Sequence, residues 1–131
     1  MLKNNIFVPI SLGGALGALL RYWVSGLSYR FFGFSFPWGT LAVNCLGAFV
    51  IGFLWIWFES VLVSVQLRLF IFVGILGALT TFSTYSLETL NLFREGESLR
   101  AFLNIVINNS GALSLAWLGM SLSRYILKLV K

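Results

Sequence analysis

The sequence predicts an all-α membrane protein of four transmembrane helices, and three observations carry that prediction. The first is composition: of 131 residues, 59% are hydrophobic and 10% charged, with a mean hydropathy of +0.93. A soluble domain this small has too much surface for its volume to hide so much apolar side chain. The second is spacing. Apolar runs alternate with short polar stretches, and each run reaches the length of about 20 residues that a span requires. The third is that most charges sit at the ends of those runs. Residues 1–131 therefore read as a single membrane domain, with no room for a separate catalytic module.

The first helix covers about residues 6–27. "MLKNNIFVPISLGG" carries one lysine and continues into a stretch long enough to span, so it reads as a helix and not as a cleavable signal. "SYRFFGFSFPW" turns the chain. The second helix, about 37–58, begins at Pro37, since proline is tolerated in a first helical turn. "ESVLVSVQLR" connects it to a third, about 69–93, and "REGES" is the clearest loop before a fourth, about 101–127. Small residues point to close helix packing: Gly13 with Gly17 and Ala48 with Gly52 have small-xxx-small spacing, and Gly74, Gly77 and Ala78 cluster.

Several function classes drop out. Cys45 is the sole cysteine and histidine is absent, which excludes internal disulfides, Cys-based metal sites and Cys/His catalysis within one chain. No nucleophile–base or metal-ligand set is visible, which argues against an enzyme. The formal charge of +5 does not indicate nucleic acid, because the basic residues are scattered near segment ends, where lipid headgroups and snorkelling account for them. Asn108-Asn109-Ser110 matches a glycosylation pattern but lies in an apolar segment and reads as a chance match.

Orientation is weakly encoded. Lys3, Arg68, Arg124, Lys128 and Lys131 fall on the side of the termini, against Arg30, Arg94 and Arg100 on the other. This bias fits either a modest preference for cytoplasmic termini or insertion in both orientations, giving an antiparallel dimer.

Polar residues within the spans mark the candidate site. Arg21 lies deep in the first helix, where an arginine costs about 2.5–3.5 kcal/mol on insertion scales. It either snorkels to a surface or faces a wet vestibule, where its potential would attract anions. Thr40 and Asn44 share a face of the second helix, as do Asn104 and Asn108 on the fourth, with Ser110 and Ser114 beyond. Inter-helix hydrogen bonding explains each pair, and together they also form a line of donors suited to an anion.

The densest polar stretch is "LTTFSTYSLE", residues 79–88. Gly74 and Gly77 weaken the third helix, and Thr80, Thr81, Ser83, Thr84 and Ser86 compete for its backbone, so it is expected to break near its middle. Irregular backbone at membrane depth is tolerated where it is buried or lines a cavity. Such a break frees carbonyls for a cation and amides for an anion. Phe82 and Tyr85 project on one side of a helical turn, where they either pack or offer positive ring edges to an anion. Glu88 is open to three readings: proton carrier, partner of Arg21 or capping group.

At these residues the sequence resembles the Fluc (CrcB) family of fluoride channels. "GALTTFSTYSLE" is similar to the family signature G-G-L-T/S-T-F-S-T-F-S-x-E, "PWGTLAVNCLG" to G-T-L-x-V-N-x-x-G, and "GGALGALLRY" to G-A-x-x-R. Three motifs in order span nearly the whole chain. The resemblance implies an antiparallel, dual-topology homodimer in the inner membrane, with two pores for passive fluoride export. By carry-over, Phe82 is a pore phenylalanine, Asn44 the pore asparagine, and Ser83 and Thr84 hydroxyls of the ion path. Thr40, Asn104 and Asn108 join that path, Arg21 is the vestibule arginine, and the carbonyls of Gly77 and Thr80 hold a structural Na+ between subunits. Tyr85 departs from the family's second phenylalanine, and Ala78 from its commoner glycine. The alternative is a small dual-topology drug or cation efflux transporter, but such proteins rely on a glutamate in the first helix, and this first helix has no acid. A non-conducting membrane scaffold is the third reading.

Overall fold

The computed structural model describes residues 5–130, so Lys3 and Lys131 of the charge pattern lie outside it. Among the described residues all regular structure is helical. The order is α1 (Phe7–Phe32), α2 (Trp38–Ser60), α3 (Val65–Arg68), a π-helical segment (Leu69–Leu76), α4 (Gly77–Leu79), α5 (Phe82–Arg94) and α6 (Ser98–Val130). Four units are long and apolar enough to cross a membrane: α1, α2, the composite Val65–Arg94, and α6.

Local chemistry sets the ends. Nothing in residues 28–32 breaks a helix, so α1 continues to Phe32 and stops where Gly33 takes φ +77°, its N–H bonding Tyr29 O at 2.8 Å. Pro37 is the N-cap of α2, and the first helical residue is Trp38. Gly96, at φ +79°, turns the chain between α5 and α6. The guanidinium of Arg68 lies 5.7 Å from the Phe58 ring centroid and donates to the Phe58 carbonyl, tying the end of α2 to α3.

The distribution of side chains is inverted relative to a soluble protein. Leu12, Leu16, Leu19, Trp23, Leu113 and Trp117 are exposed, whereas Thr40, Thr81, Thr89, Asn104, Asn108 and Ser123 are buried. An apolar exterior around a polar, small-residue interior is stable only where the surroundings are hydrocarbon. The chain is a multi-pass membrane protein.

Glycine decides which helices meet. A Cβ at Gly13 would run into the Phe70 carbonyl and Gly74 Cα, and one at Gly17 into the Ile75 carbonyl, so α1 lies directly on the π segment and α4. Gly52 meets the Ala116 backbone and Gly119 that of Phe49, which brings α2 against α6. Without a hydrophobic drive between helices in lipid, such backbone approach supplies the packing. The π segment is a feature sequence periodicity does not reveal. Its wide turn shows in the Gly77 N–H, which bonds Phe72 O five residues back as well as Gly74 O.

The third span breaks at Thr80 and Thr81, both extended (φ −81°, ψ 156° and φ −152°, ψ 117°). Thr80 stays tied to the first half through its N–H and Oγ1, both donating to Leu76 O. Thr81 opens the second half: its Oγ1 accepts from Thr84 N at 3.2 Å, an N-cap bond. Thr81→Ala is expected to cost about 1 kcal/mol. That loss would appear as a lower melting temperature in detergent, with Thr81→Ser melting close to wild type.

Candidate functional site

The break is held open by one side chain. Asn44, on α2, accepts from Thr81 N at Oδ1 (2.8 Å) and donates from Nδ2 to Thr81 O (3.2 Å). The amide thus serves the Thr81 peptide groups as a neighbouring strand would. Its second hydrogen goes to Asn108 Oδ1 at 2.9 Å.

From there the bonds run in one direction. Asn108 donates to Asn104 (3.2 Å), Asn104 to Thr89 Oγ1 (2.9 Å), and Thr89 to the Tyr85 carbonyl (2.8 Å). Because the last acceptor is a carbonyl, the orientation of every group upstream is determined. Asn44, Asn104 and Asn108 therefore meet as a relay joining α2, α6 and α5. In this single chain both Asn44 amide hydrogens are committed to protein acceptors, so an ion would be met by exchange of one of these bonds and not by an idle donor.

Two backbone carbonyls lose their helical partners at the break. In an unbroken helix the Thr81 N–H would bond the Gly77 carbonyl, and the Thr84 N–H the Thr80 carbonyl. The first is diverted to Asn44 and the second to Thr81 Oγ1. Gly77 is exposed and Thr80 half-buried, and a carbonyl oxygen without an amide partner is the kind of ligand a hard cation takes. Among the described residues no cluster of His, Cys, Asp or Glu could hold a metal.

Two cavities flank Thr81. One, of about 380 Å³, is bordered by Arg21, Ser25, Tyr29, Thr40, Thr84 and Glu88. The other, of about 460 Å³, is bordered by Asn44, Thr80, Phe82, Tyr85, Asn108 and Asn109. Thr81 belongs to both walls. In the first, Glu88 Oε1 accepts from Thr40 (2.9 Å) and Tyr29 (3.3 Å), while Oε2 is buried without a partner among the described residues. Of the three readings open for Glu88, the ion pair with Arg21 is not formed, although the two share a cavity. The ion pair present among the described residues is the exposed Arg100–Glu97 at 3.4 Å, worth little to stability.

The aromatic pair divides. The Phe82 and Tyr85 rings lie 5.3 Å apart, tilted by 52°. Phe82 is 75% exposed and Tyr85 only 8%, so Phe82 faces out of the chain and Tyr85 turns toward α6. Ser83 and Thr84 are exposed beside Phe82. Thr84 Oγ1 receives the Thr81 hydroxyl at 3.0 Å and keeps its own proton for an outside acceptor.

Sequence reasoning missed three participants. Tyr29 reads as part of a turn-forming polar stretch, yet α1 extends through it and carries it to Glu88. Thr89 lies one turn beyond Tyr85 and receives the Asn104 amide. Asn109 donates to the Tyr85 hydroxyl at 3.0 Å. Only Asn109 had a signal, a second amide beside Asn108 in an otherwise apolar segment.

Comparison with known proteins identifies the family. The profile of the family described as CrcB-like protein, Camphor Resistance (CrcB), matches residues 8–120. A protein of Geobacter sp. (strain M21) named Fluoride-specific ion channel FluC is 48% identical over 118 residues, covering 89% of this chain and 95% of the relative. Proteins of the same name from Shewanella sp. (strain ANA-3) and Shewanella oneidensis are 47% and 46% identical over 119 residues, each covering 91% of this chain and 95% of its own length. A profile match across residues 8–120 and identities near one half over about nine-tenths of the chain show the family: the chain belongs to the CrcB family.

Proposed function

We propose that the protein is a fluoride-selective channel through which cytosolic fluoride leaves the cell passively. The observation that carries the reading is the polar break at Thr80–Thr81, set between two cavities and lined by hydroxyls, aromatic rings and amides. Moving even a carboxylate-sized ion from water into a dry interior costs on the order of 20 kcal/mol in the idealised Born limit. Fluoride is smaller and costs more. Its replacement donors must be close yet weak enough to release it, which suits Ser83, Thr84, Phe82 and Tyr85. Arg21, in the wall of the first cavity, biases entry toward anions. The name shared by the relatives supports the same ion.

The working unit is an antiparallel, dual-topology homodimer with two pores, in the inner membrane. Exposure of Ser83, Thr84 and Gly77 at mid-span supports it, since polar groups there need cover other than lipid. A Na+ held by the Gly77 and Thr80 carbonyls at the subunit interface would add a fixed positive potential for anions. Thr40 and Asn44 hold α5 against α2, and Asn104 with Asn108 continues the polar wall.

Liposomes loaded with fluoride and chloride and carrying the purified chain are expected to release fluoride and retain chloride. Phe82→Ile should slow release by about tenfold, the equivalent of about 1.4 kcal/mol at a ring edge. Retention of fluoride by correctly folded protein would end this reading. Proton-coupled efflux of a lipophilic cation would establish the transporter reading in its place.

A further inference from the structure

We infer that Asn109 is a positioning residue that makes the Tyr85 hydroxyl a hydrogen-bond donor toward the ion cavity, so that the pair discriminates among anions. The inference rests on the fluoride-channel reading and deepens it.

The orientation of the Asn109 amide is determined by chemistry. Its Nδ2 lies 2.7 Å from the Ile105 carbonyl and 3.0 Å from Tyr85 Oη. A carbonyl only accepts, so the group facing it must be the NH2. The opposite rotamer would set two oxygens against each other. An NH2 has two hydrogens, one for each neighbour, and so Tyr85 Oη is an acceptor.

A phenol has a single proton, preferring the plane of its ring. With Oη accepting the Asn109 hydrogen, the phenol proton must point to some other acceptor. Among the described residues it has no acceptor, whereas the Thr89 and Ser86 hydroxyls are spent on the Tyr85 and Phe82 carbonyls. The ring is packed within the chain: Tyr85 is 8% exposed and lies 5.3 Å from the Phe82 ring. Both Tyr85 and Asn109 border the cavity of about 460 Å³ that Asn44 and Phe82 also line.

A phenylalanine at position 85 would present only a weakly positive ring edge. Tyrosine adds an O–H dipole, and acceptance of the Asn109 hydrogen polarises it further. A small hard anion, the strongest acceptor among the halides, gains most from such a donor. Chloride gains less, and a cation is repelled.

The test is a double-mutant cycle in liposomes with a vibrational measurement beside it. Asn109→Leu is expected to slow fluoride release about fivefold where Tyr85 is present, and to change nothing in the Tyr85→Phe background. Equal slowing in both backgrounds, or none in either, overturns the inference. Tyr85→Phe is nearly isosteric, and Asn109→Ala replaces Asn109→Leu if the latter is not recovered folded. The phenol C–O stretch of Tyr85, isolated by subtracting the Tyr85→Phe spectrum, should shift on adding fluoride and not on adding chloride. That shift should weaken in Asn109→Leu. Absence of a fluoride-specific shift overturns the inference. If wild-type vesicles release no fluoride, the channel reading fails, and the spectrum still decides whether the hydroxyl donates to the anion.

Discussion

Asn44→Ala is expected to lower stability by about 3 kcal/mol or more and to abolish ion release from whatever protein remains folded. Three bonds disappear together: to the Thr81 N–H, the Thr81 carbonyl and Asn108 Oδ1. Thr81 is 7% exposed, so its peptide groups have little access to solvent once the amide is gone. An unsatisfied buried donor or acceptor costs about 1–3 kcal/mol each, and these lie in a span surrounded by hydrocarbon. Asn44→Asp separates chemistry from size. A carboxylate still accepts from Thr81 N–H, but it sets oxygen against Thr81 O and Asn108 Oδ1, so it should melt nearly as low as alanine. The survival of monodisperse protein after heating in detergent, read beside fluoride efflux, checks both. An Asn44→Ala variant that melts with wild type would show that the amide does not hold the break.

Gly13→Ala and Gly74→Ala form the second large effect, each expected to cost about 3 kcal/mol or more, at or beyond the upper end of overpacking. A Cβ on Gly13 meets the Phe70 carbonyl and Gly74 Cα, and one on Gly74 meets Gly13 Cα and the Gly14 nitrogen. The obstacles are backbone on both sides, so relief requires α1 and the π segment to separate. Gly14 and Gly26 on the same helix provide the control, because a Cβ at either meets nothing within 4 Å. Gly14→Ala and Gly26→Ala should be neutral or stabilising by up to ~1 kcal/mol through helix propensity. The same thermal assay reads all four variants. Equal melting across the set would remove the close helix contact from the account of the fold.

Neighbouring glycines thus differ in consequence although the sequence presents them alike. "GGALGALL" shows small residues at i, i+4 spacing, which is enough to expect a contact, but not which helix supplies the other side. Candidate site residues followed the same pattern. Thr40, Asn44, Asn104 and Asn108 stood out because polarity inside an apolar run is costly and must have a partner. Their partners were not legible: Glu88 meets Thr40 and Tyr29 across at least 48 residues of chain, and Asn44 meets Thr81 across 37. Such pairings depend on the angle and depth at which helices cross, which many side chains set together.

By itself the sequence determined the membrane class, the four spans, the interrupted third helix and the polar residues from which a site would be built. These follow from local quantities: apolar run length, hydroxyl density, and residues that weaken a helix. Tertiary structure alone decided that the Gly77 and Thr80 carbonyls lose their amides to Asn44 and Thr81. It alone decided that Phe82 faces outward while Tyr85 turns inward, and that the Tyr85 hydroxyl is met by Asn109. The physical reason is direction. Composition and periodicity report how much polarity a helix carries and on which face, whereas the direction of each hydrogen bond is set by the acceptor that another helix brings within reach.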